Sequence, residues 1–191
     1  TKINLTALLH FPEFATRELG CSRFAPVPYL PNSLDEVLQL DLFPDLDDYR
    51  IAMRAFDSKL TKVSGSKPLD CDPLRVMARC GAGSDIISVS PTGDVFPCQS
   101  LHFPELCGGN LHNQSLEDIG SNSPVMKSLR EISVFDIAKC TDCDVAMICG
   151  GACRAIVYSL YGDLKAHNAF LCPLLREQAM DRLWHENEQA A

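Results

Sequence analysis

The stretch CTDCDVAMICGGAC, at positions 140–153, places four cysteines within fourteen residues. This density of thiols constrains the fold more than any other feature, because closely spaced cysteines either form disulfides or bind a metal centre. A disulfide framework suits a small secreted domain that lacks the apolar residues for a core, whereas 46% of these 191 residues are hydrophobic. The cysteines therefore indicate a zinc site or an iron–sulfur centre.

The spacing of the cysteines separates these two kinds of centre. Cys140 and Cys143 are separated by two residues, whereas three residues, two of them glycines, separate Cys149 from Cys153. Zinc sites favour short ligand pairs of equal spacing around one tetrahedral ion. Longer and unequal spacings suit an iron–sulfur cluster, which is a larger body than one zinc ion. The spacing favours iron–sulfur, and a structural zinc site is the alternative.

The full cysteine pattern resembles the SPASM domain of radical S-adenosylmethionine enzymes. It consists of a cysteine, twelve residues, Gly93, four residues and a second cysteine, then Cys-x2-Cys-x5-Cys-x3-Cys after a gap, and a last cysteine after another gap. The resemblance covers about residues 71–180. The family includes anaerobic sulfatase maturases, the pyrroloquinoline quinone maturase, and enzymes that install thioether or carbon–carbon crosslinks in ribosomal peptides. In this family the domain follows a partial (β/α)6 barrel and binds two auxiliary iron–sulfur clusters.

The resemblance implies ligands for two auxiliary clusters, each expected to be a four-iron, four-sulfur cluster. The first cluster would be bound by Cys80, Cys98 and Cys153, with Cys107 or Cys71 as a possible fourth ligand. The second cluster would be bound by Cys140, Cys143, Cys149 and Cys172. The run at 140–153 would thus supply ligands to both clusters, and its glycine pair would be the bend between them.

Residues 1–64 are predicted to be an α/β fragment. INLTALL is an apolar run that favours a buried strand, FPEFATRELG favours a short helix ending at Gly20, and CSRFAPVPYLP favours a second strand. The run from Asp45 to Leu60 has an acidic start and predicts a longer helix. Through the resemblance, this fragment would be the last strands and helices of the partial barrel.

Residues 65–191 are predicted to be a small, irregular α+β SPASM domain, which a linker rich in Ser, Gly, Lys and Pro joins to the first part. IISVS, PTGD and VFPC favour a β-hairpin, with Gly93 at a positive φ in the turn. Antiparallel pairing would bring Cys80 and Cys98 close together at the open end of this hairpin. Further helices are predicted at about 115–120, in SPVMKSLREI with Ser123 as its cap, at 154–161 and at 173–186.

The chain departs from the family in one respect that bears on activity. Radical S-adenosylmethionine enzymes bind their cofactor through a cluster held by Cys-x3-Cys-x2-Cys. Here Cys149 and Cys153 have the first spacing, but position 156 is Ile. This chain alone is therefore not expected to cleave S-adenosylmethionine. Because it begins at Thr1 inside an apolar segment, we expect a C-terminal part of a longer enzyme, whose N-terminal part would hold S-adenosylmethionine and a third four-iron cluster. The alternative is a standalone, non-catalytic iron–sulfur module for electron transfer or scaffolding.

The resemblance implies an oxidoreductase that matures a peptide or protein side chain, in which the auxiliary clusters transfer electrons or position the substrate. A further expected partner is an electron donor such as ferredoxin or flavodoxin. Sulfatase-maturase relatives carry an acidic general base after the second hairpin cysteine, but Gln99 follows Cys98 here. A net charge of -8 argues against nucleic acid or an anionic membrane as a partner. No apolar run approaches the roughly 18 residues of a membrane span, and we expect a cytoplasmic protein.

Other residues have candidate roles that compete with structural ones. Surface positions are expected for all five histidines, which are His10, His102, His112, His167 and His185. Of these, His102 lies beside the hairpin and is the best candidate for a metal or acid–base role. Tyr158 and Tyr161 are expected to pack in the core rather than to relay electrons. Arg154 would either offset the charge of a cluster or form a surface salt bridge, and Cys21 is expected to be a buried packing residue.

Overall fold

The computed structural model describes residues 1–21, Phe24, Leu42, 44–64 and 76–185. The chain divides into two compact units, Thr1–Asp72 and Pro73–Ala191. Residues 65–75, which contain most of the predicted linker, lie outside the described residues. The domain boundary after residue 64 therefore stays a prediction.

The first nine residues form helical turns rather than a strand. Two 3-10 helices span Lys2–Asn4 and Thr6–Leu9, and backbone hydrogen bonds here join residues three apart, such as Leu8 N to Leu5 O at 3.2 Å. The prediction of a buried strand in INLTALL is therefore wrong. A short apolar run does not distinguish a strand from a helix, and a strand satisfies its backbone only by pairing. The described residues of this unit contain no strand to pair with it.

Both predicted helices of the first unit are confirmed. Helix α1, Phe11–Arg17, has Pro12 in its first turn and is followed by Gly20 at φ 64°, the left-handed conformation that commonly ends helices. Helix α2, Leu46–Ser64, has an acidic first turn, which complements the positive end of the helix dipole. The predicted second strand, CSRFAPVPYLP, lies mostly outside the described residues, so the partial barrel stays a prediction.

Three aromatic rings pack together in the first unit. The ring of Phe24 lies edge-on to those of Phe11 and Phe56, with centroids 5.5 and 6.2 Å apart. Phe56 is fully buried, and Lys59 Nζ on the same helix donates a hydrogen bond to Leu9 O at 2.6 Å. These contacts join α1 and the preceding 3-10 turn to α2.

The second unit contains a three-stranded antiparallel sheet of order β1-β2-β3. Strand β1 (Ser88–Val89) pairs with β2 (Asp94–Phe96), which pairs with β3 (Gly109–Asn110). The predicted hairpin is confirmed, and Gly93 has φ 82° in its turn. Strand β3 was not predicted, because two residues that pair across a long loop leave no periodic pattern in the sequence.

Five α-helices follow in this part of the chain. They are α3 (Leu116–Asn122), α4 (Pro124–Glu131), α5 (Ala146–Cys149), α6 (Arg154–Tyr161) and α7 (Cys172–His185). The four predicted helices are confirmed, and α5, a single turn within the cysteine run, is additional. Two 3-10 turns span Pro104–Leu106 and Val134–Asp136.

The starts of α3 and α4 differ in their caps. Ser115 Oγ accepts a hydrogen bond from Asp118 N at 3.1 Å, which satisfies one free N–H group of α3. Ser123 lies at the cap position of α4, as predicted, but its side chain makes no capping hydrogen bond. Pro124 instead supplies a first-turn φ suited to the helix.

The core of the second unit includes two apolar clusters that pack around the hairpin and its following loop. Ala82, Leu101, Leu106, Leu129 and Ala155 pack together, and Val95, Ile119 and Met126 form the other cluster. Burying one large apolar side chain stabilises a fold by about 1.5–3 kcal/mol. Cys80 and Cys98 pack against the first cluster, so apolar packing holds both cysteines at the edge of a core.

None of the helices that the structure describes is both long enough and apolar enough to span a membrane.

Candidate metal centre

Consecutive tight turns arrange the first half of the cysteine run. Cys140 N donates to Ile137 O at 3.0 Å, and Cys143 N donates to Cys140 O at 3.2 Å. Helix α5 follows and ends at Cys149, where Gly150 has φ 71°. Because the backbone turns between each of these cysteines, the three side chains reach the wall of one cavity.

That cavity, which we call the four-cysteine cavity, is lined by Cys140, Cys143, Cys149 and Cys172. Its empty space is about 400 Å³, part of it open to solvent. Cys172 is the first residue of α7, so the cavity joins the cysteine run to a helix far along the chain. Other residues that line it include Lys139, His167, Asn168 and Arg176.

Two thiols of the four-cysteine cavity, those of Cys140 and Cys172, hold their protons more tightly than isolated thiols. Burial raises the pKa of Cys140 and of Cys172, and the neighbouring Cys149 and Cys143 raise both pKa values further. Crowded thiolates repel one another in a region of low dielectric. A metal centre or nearby cations would offset that repulsion, because a metal binds the thiolate form.

A second group of neighbouring thiols consists of Cys80, Cys98 and Cys153. Burial raises the pKa of Cys98, and the charges of Cys153 and Cys80 raise it further. Gly83 N donates to Pro97 O at 2.8 Å, which holds the turn after Cys80 against the end of the hairpin. None of these three cysteines is among the residues that line the four-cysteine cavity. The run at 140–153 therefore contributes cysteines to two groups of thiols.

A left-handed bend separates Cys149 from Cys153. Gly150, Gly151 and Ala152 have φ values of 71°, 72° and 73°. A Cβ atom on Gly151 would lie 2.7 Å from the Cδ1 atom of Ile137, which is closer than van der Waals contact. The glycine pair that the sequence predicts as a bend therefore adopts a backbone conformation that other residues rarely adopt.

Arg154 lies between the two groups of thiols. It is 2% exposed, so a surface salt bridge is the wrong prediction for this residue. Its guanidinium donates to the carbonyl oxygens of Gly151, Ala152, Leu164 and Ala166. Burial lowers the pKa of Arg154, whereas the nearby Cys140, Cys80, Cys153 and Cys149 raise it. One buried cation therefore interacts with thiols of both groups.

Three further cysteines are assigned to neither group. The Cys107 thiol donates to Gly109 O at 3.4 Å. Cys71 lies outside the described residues. Cys21 is half-buried in the first unit, where its N–H donates to Ala15 O at 2.9 Å. A fourth ligand for the group of Cys98 therefore stays a prediction.

Both groups of potential ligands consist of thiols alone. Within the residues that the structure describes, no three His, Cys, Asp or Glu side chains converge closely enough to hold one metal ion. Thiolates are the usual ligands of iron–sulfur clusters, and four thiolates also suit a structural zinc ion. The preference for iron–sulfur therefore rests on the spacing of the cysteines in the sequence.

Of the other candidates from the sequence, His167 is half-buried in the wall of the four-cysteine cavity rather than at the expected surface position, whereas His102 and Tyr158 have ordinary structural contacts. His102 Nε2 lies 2.8 Å from Ser88 Oγ, and its ring stacks on Phe96 with centroids 4.3 Å apart. Tyr158 donates to Glu105 at 2.7 Å, and its ring lies edge-on to Phe103 at 4.9 Å. These contacts hold the hairpin and the following loop in place.

Sequence reasoning missed three polar residues of the four-cysteine cavity: Lys139, Asn168 and Arg176. Arg176 could have been predicted from the sequence, because a residue four positions after Cys172 on a helix lies on the same face as Cys172. Lys139 and Arg176 lower the pKa of Cys172, which means that they favour its thiolate. No motif marks Asn168, and only the folded chain places it beside the cysteines.

Residues 80–144 match the SPASM family model, described as an iron–sulfur cluster-binding domain. The matched range includes Cys80, Cys98, Cys140 and Cys143, and it ends before Cys149. The match therefore covers the hairpin and the first turn of the cysteine run.

Three curated proteins are similar to segments of this chain. PqqA peptide cyclase of Methylobacterium is 33% identical over 87 residues, which are 45% of this chain and 23% of that protein. Mycofactocin maturase MftC of Mycobacterium ulcerans is 31% identical over 77 residues, which are 40% of this chain and 20% of that protein. An uncharacterized protein of Archaeoglobus fulgidus is 27% identical over 115 residues, 60% of this chain and 26% of that protein.

The matched segments span about a quarter of the length of these relatives. No solved structure matches the chain. The resemblance to the radical S-adenosylmethionine/SPASM maturases is confirmed: the chain carries a SPASM iron–sulfur cluster-binding domain at residues 80–144 and is homologous to parts of PqqA peptide cyclase and mycofactocin maturase MftC.

Proposed function

We propose that this chain is the auxiliary iron–sulfur portion of a radical S-adenosylmethionine maturase that modifies a side chain of a peptide or protein. The observation that carries the proposal is the four-cysteine cavity, because it gathers four thiols from two distant segments. The similarity to a peptide cyclase and to a maturase supports a peptide as the substrate.

The proposal assigns each group of thiols to one cluster. Cys80, Cys98 and Cys153 bind the first cluster, with Cys107 or Cys71 as a fourth ligand or with one iron left open to the substrate. The second cluster is bound by Cys140, Cys143, Cys149 and Cys172. The electrostatic interaction of Cys98 with Cys153 and Cys80 supports the first assignment.

The residues of this chain fit a pair of four-iron clusters. Thiolates are the usual ligands of such clusters, and the cation of Arg154 and the positive charges of Lys139 and Arg176 offset their combined charge. When bound, such clusters supply one-electron transfer or an open iron for the substrate. The chain itself orients the thiolates, shields them by burial and separates the two groups with the left-handed bend.

The proposal extends to the parts of the enzyme that surround this domain. Residues 1–64 would belong to the end of the catalytic barrel and residues 65–191 to the auxiliary domain. S-adenosylmethionine and a third cluster would bind to a preceding part, and a ferredoxin or flavodoxin would donate electrons. The enzyme would act in the cytoplasm, without nucleic acid or membrane as a partner.

Anaerobic reconstitution tests the proposal. We expect about eight irons and a matching amount of sulfide per chain, with a Mössbauer spectrum typical of two four-iron clusters. Tightly bound zinc without sulfide would instead support the structural zinc alternative. Replacing Cys149 by Ser or Cys153 by Ser should each remove about half of the iron. The double replacement should remove nearly all of it if the two residues bind different clusters, and only about half if they bind the same cluster.

The standalone iron–sulfur module is the second candidate, because this sequence contains no Cys-x3-Cys-x2-Cys triplet, even where Cys149 and Cys153 have its first spacing. Ile156 stands where a third cysteine would complete the triplet, and it is 7% exposed in α6. Sequencing the gene upstream of Thr1 separates the candidates. A Cys-x3-Cys-x2-Cys triplet there supports the maturase, whereas a start codon directly before Thr1 supports the module.

A further inference from the structure

Asn168 is a buried polar residue in the wall of the four-cysteine cavity. It lies in the loop between α6 and α7 and is 2% exposed. The loop is held by Arg154, whose guanidinium donates to Leu164 O at 3.0 Å and to Ala166 O at 3.2 Å. Asn168 is therefore fixed beside the cavity by a buried cation.

The hydrogen bonds of Asn168 define which way its amide group faces. Its Oδ1 atom accepts from Leu171 N at 2.9 Å, and its backbone oxygen accepts from Cys172 N at 3.0 Å. Because only the oxygen of the amide accepts hydrogen bonds, this contact assigns Oδ1 to the Leu171 side and Nδ2 to the other. Asn168 thus also anchors the start of α7, where Cys172 lies.

The Nδ2 atom of Asn168 is a buried donor without a partner among the described residues. Leaving such a donor unsatisfied costs about 1–3 kcal/mol, and buried polar groups in native proteins almost always have a partner. The four cysteines of the cavity are the neighbouring groups that would carry negative charge once they bind iron. An acceptor in the cavity would remove the cost.

We propose that Asn168 Nδ2 donates a hydrogen bond to a sulfur atom of the second cluster, either a cysteine thiolate or a cluster sulfide, and thereby raises the reduction potential of that cluster. This inference rests on the proposed function. Asn168 is a positioning residue, since it acts on the electronic state of the cluster rather than on the substrate. Adding one electron makes the cluster more negative, so an N–H donor stabilises the reduced form more than the oxidised form.

A redox titration of the reconstituted whole chain, followed by electron paramagnetic resonance with dithionite as the reductant, tests the inference. Asn168→Ser keeps a side-chain oxygen for Leu171 N but loses the unpartnered Nδ2 donor. We expect the potential of one cluster to shift to a more negative value, while the other cluster keeps its wild-type potential. Unchanged potentials for both clusters would overturn the inference.

Asn122→Ser is the matched control, because it makes the same chemical change outside the cavity. Asn122 is exposed, and its Nδ2 donates to Asp118 at 2.8 Å. This variant is expected to keep both potentials at their wild-type values. A shift as large as that of Asn168→Ser would mean that the effect is not specific to the cavity, and would also overturn the inference.

A second measurement is independent of how well Asn168→Ser folds. In wild-type protein labelled with ¹⁵N at asparagine, pulsed electron paramagnetic resonance should detect ¹⁵N coupling to a reduced cluster, and the coupling should persist in Asn122→Ser. No coupling would overturn the inference and would indicate that water satisfies the amide. Wild-type protein that takes up neither iron nor sulfide would overturn the proposed function as well, whereas two clusters without the coupling would overturn this inference alone.

Discussion

At the scale of single residues, Arg154 connects the parts of the second unit that hold cysteines. Its guanidinium bonds to carbonyls on both sides of the bend and to the loop before α7. A guanidinium has five donors in a fixed plane, whereas lysine has one compact charged group. The structure therefore uses arginine here for its geometry as well as for its charge.

Replacing Arg154 by Met should lower the free energy of unfolding by about 3–5 kcal/mol, because several buried carbonyls lose a charged donor. Arg154→Lys keeps the charge but reaches fewer of these carbonyls, and it should have an intermediate effect. Urea denaturation followed by circular dichroism measures both. Arg176→Met is the control, since that side chain is 56% exposed and pairs with Asp144 at 3.9 Å, and exposed pairs contribute at most about 1 kcal/mol. Equal losses for Arg154→Met and Arg176→Met would contradict the role of Arg154.

Cysteine spacing indicates candidate ligands in the sequence, whereas it gives little information about the polar residues around them. The structure brings Cys140, Cys143, Cys149 and Cys172 to one cavity, and their assignment to a cluster stays a prediction. Arg154 was a candidate because it follows Cys153 in the sequence, but only the fold shows that it is buried. No pattern in the sequence marks Asn168, because its position depends on contacts across a loop.

At the scale of elements, the left-handed bend decides which thiols belong together. Three successive residues at positive φ reverse the chain between α5 and α6. A regular helix through this point would instead continue from Cys149 to Cys153 and bring both side chains to one face. The bend therefore keeps one cysteine of the run away from the other three.

Gly151→Ala should disturb this bend more than the same change in a matched turn. Gly151 combines a positive φ with a Cβ position 2.7 Å from Ile137 Cδ1, whereas Gly162 has φ 66° and open space around it. Strain at positive φ costs about 1–2 kcal/mol, so Gly162→Ala should lower the free energy of unfolding by that amount. Gly151→Ala should lower it by about 1 kcal/mol more, because the added methyl group overpacks the site. Thermal unfolding of the two variants measures the difference, and equal losses would show that the site repacks freely.

The elements that the sequence predicted are those with a local cause. The hairpin follows from a turn that needs Gly93, and α4 follows from Pro124 at its first turn. INLTALL has no such signal, because an apolar run of that length suits a strand and a helical turn equally. Strand β3 has two residues, and its pairing with β2 depends on the loop between them.

At the scale of the whole molecule, the second unit has little β-sheet. Its strands contain two or three residues each. The proposed ligands come from the hairpin, from the run at 140–153 and from the start of α7. Binding two clusters would therefore crosslink segments that are far apart in the chain, and ligation free energy would contribute to the fold.

Removing the clusters should consequently unfold much of the second unit. We expect residues 98–172 to become largely disordered after chelation and oxidation, because metal ligation contributes to the folding free energy of that segment. Far-UV circular dichroism should lose helical signal, and hydrogen exchange should become fast in residues 98–172 while α1 and α2 of the first unit keep their protection. Cys21→Ser, which changes a cysteine outside both proposed ligand sets, should respond as the wild type does. A circular dichroism spectrum unchanged by chelation and oxidation would contradict this prediction. It would mean that packing alone stabilises the domain and that cluster binding does not contribute to its fold.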